Sequence, residues 1–257
     1  MTQARNIARL ILMVAFWCDL PVVGLARMVL AAEGERLVVA DRQARPPVVD
    51  GDLADWAGVK FHTIVCGRQP TAEAALAHDR GNLFLAYRVT DASPLRNRGQ
   101  DPLHHFKEGD AVDLMFGPAR DGRTKPVAGD GRLLLVPAGP VAVLYRPVWP
   151  GGTPVEFSSP VRRVTFDSVA VAPEVALKFV ATATGYVCEA RVPLATLGVT
   201  WEAGRRQAGD VGVLLSNDGG LLTVQRCNLF HRLATTVSDI PTEVELTPGG
   251  WGEMEFE

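Results

Sequence analysis

The sequence contains none of the short motifs that mark the common enzyme classes. It has no Gly-x-Ser-x-Gly nucleophile elbow, no His-Glu-x-x-His pattern, no phosphate-binding P-loop and no Gly-x-Gly-x-x-Gly dinucleotide fingerprint. It also has no Cys-x-x-Cys pair for zinc or redox chemistry, and no Cys-x-x-Cys-His for covalent haem. These absences argue against an independent catalyst, so we expect a protein that is not an enzyme.

Neither basic charge nor cysteine is concentrated in this chain. The 26 Lys and Arg residues against 29 Asp and Glu give a net charge of −3, which supplies no electrostatic footprint for nucleic acid. Outside the leader described next, Cys66, Cys188 and Cys227 allow at most one disulfide. We interpret these three as buried structural cysteines and exclude a disulfide-dense scaffold.

The N-terminal segment has the order of features found in a secretory signal peptide. Arg5 and Arg9 precede an apolar run, and small residues follow near Ala31. We predict a signal peptide over residues 1–31 and a mature, exported chain over 32–257, periplasmic or extracellular and without a stable membrane span. Charged residues interrupt the apolar stretch, and an uncleaved membrane anchor is the alternative.

Short runs of alternating side chains dominate the remaining sequence. The clearest run places four side chains on one face, which we expect to be the core: Leu83, Leu85, Tyr87 and Val89. Similar alternation occurs at 112–116, 141–145, 175–179, 186–192 and 211–215. Within one of these runs Glu189 is interpreted as a strand-surface partner of Arg191.

Helical periodicity is almost absent. One short helix is predicted at 193–197, where Pro193 begins it and Gly198 ends it. Turn-forming clusters separate the alternating runs, and there is no βαβ alternation. The sequence therefore predicts an all-β fold, a two-sheet antiparallel β-sandwich of jelly-roll type in a single domain.

Two adjacent histidines are candidate ligand-binding residues. His104 and His105 lie in a polar loop, where they could share a metal ion with Asp101 as a third ligand. Exposed loop histidines without a metal are the alternative. Met115 could ligate haem, or it could fill a gap in the packing.

Trp149 and Trp201 are the other candidate ligand-binding residues. Each lies in a segment that is rich in turn-forming residues, and Trp149 stands between prolines that restrict its backbone. A flat indole ring gains contact area from the apolar face of a sugar, so loop tryptophans are typical of glycan binding. The alternative is a tryptophan that folds back to cover the edge of the sandwich.

Several segments, taken in order, carry a family resemblance. Residues 47–56 follow the pattern hydrophobic–Asp–Gly–x–Leu–x–x–Trp, with Trp56 at its end, and residues 82–91, 107–114 and 185–193 come after it. In this order they resemble the family 9 carbohydrate-binding modules and related DOMON-like domains. The resemblance covers almost the whole predicted mature chain. It implies a two-sheet β-sandwich that holds sugars or polysaccharide ends.

The resemblance also implies a bound calcium ion, and the carboxylates available for it are Asp91, Asp110 and Asp113. It does not transfer the paired tryptophans that grip sugar in sugar-binding members, because Trp56 matches the structural opening motif. We therefore expect non-catalytic binding of a glycan or polysaccharide, in a free-standing role or as an accessory to glycoside hydrolases. The alternatives are a haem-binding sandwich of the redox type, and an envelope domain that has lost the sugar site.

Overall fold

The computed structural model describes residues 36–119, 122–139, 141–198, 200, 202, 204–232 and 237–257. The predicted signal peptide at 1–31 and the candidate residue Trp201 lie outside the described residues. Residues Arg36–Glu257 belong to one compact unit.

β-strands make up nearly half of the described chain. Their bounds are β1 (Leu37–Asp41), β2 (His62–Cys66), β3 (Gln69–His78), β4 (Asn82–Thr90), β5 (Ala111–Gly117), β6 (Gly131–Val136), β7 (Val141–Arg146), β8 (Val155–Ser158), β9 (Arg163–Phe166), β10 (Ser168–Val171), β11 (Ala176–Thr182), β12 (Gly185–Pro193), β13 (Arg206–Ser216), β14 (Thr223–Asn228) and β15 (Gly252–Phe256). Two short α-helices are present, α1 (Leu194–Leu197) and α2 (Ile240–Val244), with 3-10 turns at Leu53–Trp56, Pro102–His104 and Pro248–Gly250.

Thirteen of the described strands join into one sheet that curls back on itself. The hydrogen-bonded order is β10-β7-β6-β5-β13-β15-β1-β3-β4-β12-β11, with β14 on β13 and β2 on β3, and β8 pairs separately with β9. Most pairs are antiparallel, whereas β1 runs parallel to both neighbours. We call β10, β7, β6, β5, β13 and β14 the first half-sheet, and β2, β3, β4, β12 and β11 the second half-sheet.

Both half-sheets contribute to one apolar core, as the alternating runs predicted. The four side chains predicted to face the core are buried in it, Leu83, Leu85, Tyr87 and Val89, and they meet apolar side chains from β5, β6 and β13. Arg88, on the opposite face of β4, is exposed. The all-β sandwich and the period of its strands are therefore confirmed.

Each half-sheet also carries a smaller apolar cluster on its outer face. On the first half-sheet this outer cluster is built around Phe106, Tyr145, Phe157, Phe166 and Trp251, so the β8–β9 hairpin and the α2 region pack over that face. On the second half-sheet the 3-10 turn at Leu53–Trp56 packs on alanines of β3 and β4. The outer face of the first half-sheet is thus covered by its own chain.

The structure corrects the interpretation of Glu189. The side chain is buried, and it accepts hydrogen bonds from the backbone N–H groups of Asp50 and Gly51 and from the indole of Trp56. The expected surface pair with Arg191 fails because β12 lies inside the sheet, where the 47–56 segment covers this face. The segment with the Asp–Gly–x–Leu–x–x–Trp pattern is therefore anchored by hydrogen bonds to a carboxylate in a distant strand.

The cysteines divide between a disulfide and a buried thiol. Cys66 of β2 and Cys227 of β14 are joined, which links the second half-sheet to the first, and Cys188 is free and buried. All three cysteines are buried, as expected, and they form no more than the one disulfide that the sequence allowed. Sequence distance hid the pair, because 161 positions separate its members.

The predicted helix is present and ends where expected. α1 ends at Gly198, which adopts the left-handed conformation with φ 65°. The second helix, α2, was not predicted, although Asp239 caps it by accepting from the backbone N–H of Thr242.

Candidate functional site

Trp149 stands on a braced turn directly after β7. Its backbone N–H donates to Oδ2 of Asp167 at 2.8 Å, and its carbonyl accepts from Gly152 at 3.1 Å. The indole remains partly exposed. The turn therefore presents a large ring from a fixed backbone, as the sequence predicted for this residue.

Arg146 supports one face of this ring. Its guanidinium carbon lies 3.7 Å from the centroid of the Trp149 ring, a close cation–π contact. The guanidinium is held in turn by the carbonyl oxygens of Thr196 and Leu197 at the end of α1. Burial lowers the pKa of Arg146. This contact could not be predicted from the sequence, because it joins a strand end to a helix 50 residues away.

Gly198 connects the Trp149 ring to a groove. A Cβ atom on Gly198 would lie 3.0 Å from Cη2 of Trp149 and 3.1 Å from Nη1 of Arg146, so a side chain here would push against the ring and its brace. The left-handed backbone at Gly198 also disfavours other residues. The glycine thus lets the end of α1 come up against the indole.

The groove has a volume of about 230 Å³, below the ~300–1,000 Å³ range typical of sites for drug-sized ligands. Its lining consists of Pro118, Gly129, Gly198, Thr200, Arg205 and Gln207. Gln207 is almost fully buried, and its Oε1 has no hydrogen-bond partner. Arg205 donates to the carbonyl of Thr200 across one side. The groove therefore combines polar lining residues with a neighbouring aromatic ring, at a scale that suits a single sugar unit.

The two candidate histidines have different neighbours. Nδ1 of His104 lies 2.9 Å from Oδ2 of Asp101, and its ring contacts Phe157 edge to face. His105 is buried, burial lowers its pKa, and its Nδ1 lies near Gly99 without a hydrogen-bond partner. Asp101 is thus brought to His104, as predicted, while His105 is enclosed by another part of the loop.

The three carboxylates predicted for calcium are separated by their partners. Asp110 accepts from the backbone N–H groups of Arg96 and Ser216 at 2.7 Å each, and burial raises its pKa, with the negative charge of Asp91 adding to the shift. Asp113 instead forms a buried ion pair with Arg132. The positive charge beside Asp113 is therefore supplied by Arg132. Calcium binding by Asp91, Asp110 and Asp113 stays a prediction.

Arg132 is the charged residue that sequence reasoning missed on the first half-sheet. Its Nε donates to Oδ2 of Asp113 at 2.8 Å, and its guanidinium carbon lies 5.8 and 5.9 Å from the ring centroids of Phe106 and Tyr145. An arginine at the head of the apolar run 131–136 was the available signal. Met115 packs in the same outer cluster.

The described residues contain neither a metal-ligating cluster of His, Cys, Asp and Glu side chains nor a membrane-spanning helix. No three His, Cys, Asp or Glu side chains there are grouped as metal ligands. No helix in that part of the chain is long and apolar enough to cross a membrane.

The comparisons with known proteins give structural neighbours only. No family model matches the chain, and no curated protein matches it. A family 9 carbohydrate-binding module from Caldicellulosiruptor kristjanssonii, solved with glucose, superimposes with a TM-score of 0.55 at 16% identity, covering 87% of this chain and 96% of the module. The structure with cellotriose gives 0.56 at 16% identity, covering 87% and 94%.

The fold is that of the family 9 carbohydrate-binding modules. A candidate carbohydrate-binding protein from Bacteroides uniformis gives a TM-score of 0.50 at 15% identity, covering 87% of this chain and 99% of that one. The predicted resemblance is therefore confirmed for the sandwich. At this identity the family 9 fold by itself does not locate a ligand site, so the Trp149 groove rests on its own geometry.

Proposed function

We propose that this protein is an exported, non-catalytic carbohydrate-binding sandwich that holds a sugar unit in the groove beside Trp149. The observation that carries the proposal is the position of Gly198, which contacts the indole ring and also lines the groove. A sugar ring has an apolar C–H face and a rim of hydroxyls. Trp149 offers a matching flat surface, and Arg205 and Gln207 in the groove lining are polar partners for the hydroxyls.

The small volume of the groove supports recognition of a chain end or a single sugar over the middle of a polysaccharide. The aromatic ring beside the groove is anchored, since Trp149 is fixed by Asp167 and braced by Arg146. A rigid aromatic platform loses little conformational entropy when a ligand binds. The solved neighbours bound to glucose and cellotriose support the same ligand class.

The disulfide supports export. Disulfides persist in oxidising compartments, such as the periplasm or the extracellular space, and are rare in the cytosol. Cys66 and Cys227 are both buried at the junction of the half-sheets, which suits a permanent structural link. This is consistent with the predicted signal peptide over 1–31.

A glycan array of the purified protein tests the proposal, with Trp149→Ala and His104→Ala probed in parallel. We expect binding to one or more glycans that the Trp149→Ala protein loses and the His104→Ala protein keeps, while all three proteins melt cooperatively. Retention of every signal by Trp149→Ala would place the sugar elsewhere on the sandwich. An array with no signal at any tested calcium concentration would argue for an envelope domain without a sugar site.

A further inference from the structure

The loop between β4 and β5 brings three polar side-chain atoms to one point. A Cβ atom built on Gly99 would lie closest to Oε2 of Glu108, 2.6 Å from Nδ1 of His105 and 3.1 Å from Oδ1 of Asn97. No residue larger than glycine fits at position 99 without displacing them. One nitrogen and two oxygen atoms therefore converge beside the backbone of Gly99.

Two of the three atoms lack the partners that buried polar atoms normally have. Nδ1 of His105 and Oε2 of Glu108 are both buried, and neither makes a hydrogen bond. The His105 side chain belongs to a residue that is only 4% exposed. In folded proteins such unsatisfied buried atoms are rare, and they commonly mark a missing water, ion or ligand.

The surrounding bonds fix the orientation of the ligand atoms. The side-chain NH₂ of Asn97 donates to the carbonyls of His105 at 2.9 Å and Asp110 at 3.2 Å, so its oxygen is the atom that faces Gly99. A bridge between Asn97 and Gly109 closes the base of the loop. Thus the site is held by backbone contacts that do not depend on a bound ion.

The atom set favours a transition metal. A neutral imidazole nitrogen suits Zn²⁺ and similar divalent ions, and carboxylate oxygen is also a Zn²⁺ ligand, whereas Ca²⁺ takes six to eight oxygens. The third ligand is the side-chain oxygen of an asparagine, so the site needs no group of three His, Cys, Asp or Glu side chains, and none is present among the described residues.

We propose that His105, Glu108 and Asn97 bind a divalent transition metal of the Zn²⁺ type. The metal would cross-link the 97–109 loop, because it would join Asn97 at the start of the loop to His105 and Glu108 near its end. This site involves His105 without His104, and it is independent of the sugar groove at Trp149.

Metal titration of the untagged, chelator-treated full-length protein tests the proposal. Co²⁺ serves as a spectroscopic probe and Zn²⁺ as its competitor. We expect Co²⁺ to produce visible d–d absorption that saturates at one equivalent, and Zn²⁺ to abolish it. His105→Ala and Glu108→Gln should each weaken binding at least tenfold. His104→Ala is the matched control and should bind as the wild type does, because its imidazole pairs with Asp101.

A second measurement avoids any dependence on how the variants fold. In the wild-type protein, Zn²⁺ should shift the imidazole ring proton resonances of His105 and leave those of His104 in place. Absence of Co²⁺ absorption, unchanged affinity in Glu108→Gln, or Zn²⁺-induced shifts at His104 in place of His105 would each overturn the proposal. Equal competition by Ca²⁺ would likewise overturn it, because that result indicates an oxygen-only site.

Discussion

The indole nitrogen of Trp56 donates a hydrogen bond of 2.7 Å to Oε1 of Glu189, across 133 positions of sequence. The other carboxylate oxygen accepts from the backbone N–H groups of Asp50 and Gly51. One buried carboxylate therefore fastens the whole 50–56 segment to β12. Burial raises the pKa of Glu189, and these three hydrogen bonds oppose that shift.

Removal of this carboxylate should destabilise the fold strongly. Glu189→Ala leaves one buried donor and two partly buried donors unpaired, so we expect the free energy of unfolding to fall by about 3 kcal/mol, as measured by urea denaturation. Glu73→Ala is the matched control, because Glu73 pairs with Arg88 at the surface and should cost less than about 1 kcal/mol. An equal loss of unfolding free energy in the two variants would show that the hydrogen bonds to Glu189 are not a stabilising contact.

The alternation of β4 predicts that substitutions on its buried face and on its exposed face have very different effects on stability. Leu85→Asp places an unpaired charge in the core shared by the two half-sheets and should prevent folding. Arg88→Ala removes an exposed side chain that pairs with Glu73 and lies over Phe61, and it should cost about 1 kcal/mol or less. Circular dichroism and thermal melting of the two variants check this, and a folded Leu85→Asp protein would contradict the assigned core.

The strand periods could be predicted from sequence because burial imposes a two-residue repeat on each strand. Long-range partners could not be predicted, since nothing in the sequence around Glu189 or Cys66 identifies Trp56 or Cys227. For the same reason only part of the candidate site could be predicted. The turn around Trp149 was visible as a Pro- and Gly-rich segment, whereas its brace Arg146 and its contact Gly198 meet only through the tertiary fold.

Loss of the disulfide should destabilise the protein without changing its architecture. The bond between Cys66 and Cys227 closes a loop of more than 100 residues, for which chain-entropy arguments give about 4–5 kcal/mol and typical measurements about 2–4 kcal/mol. We expect Cys66→Ala and Cys227→Ala to lower stability equally, and the double variant to cost no more than either. Additive losses would show that the two cysteines act independently.

Asp210 should make stability depend on pH in an unusual direction. Burial raises its pKa to about 7, against backbone hydrogen bonds from His231, Phe230 and Val211 that favour the charged form. The folded protein then holds a proton that the unfolded chain releases near pH 4, so this residue's contribution falls as pH rises from about 4 to about 7. The slope approaches 1.4 kcal/mol per pH unit.

Comparison with Asp210→Asn isolates this effect from other carboxylates. The stability of the wild type relative to Asp210→Asn should decrease from pH 4.5 to pH 7 and then level off, as followed by urea unfolding at each pH. A difference that grows with pH across this window would mean that the three backbone hydrogen bonds outweigh burial, and that Asp210 is ionised in the folded state.

The most direct test of the sugar groove is the response of the tryptophan indole N–H resonances to the best ligand from the glycan array. With ¹⁵N-labelled protein and Trp149→Phe for assignment, titration should shift the Trp149 resonance progressively to saturation. The resonances of Trp56 and Trp251, both buried with 2% exposure, should stay in place. A ligand that saturates the protein while the Trp149 resonance does not move would contradict the assignment of the site.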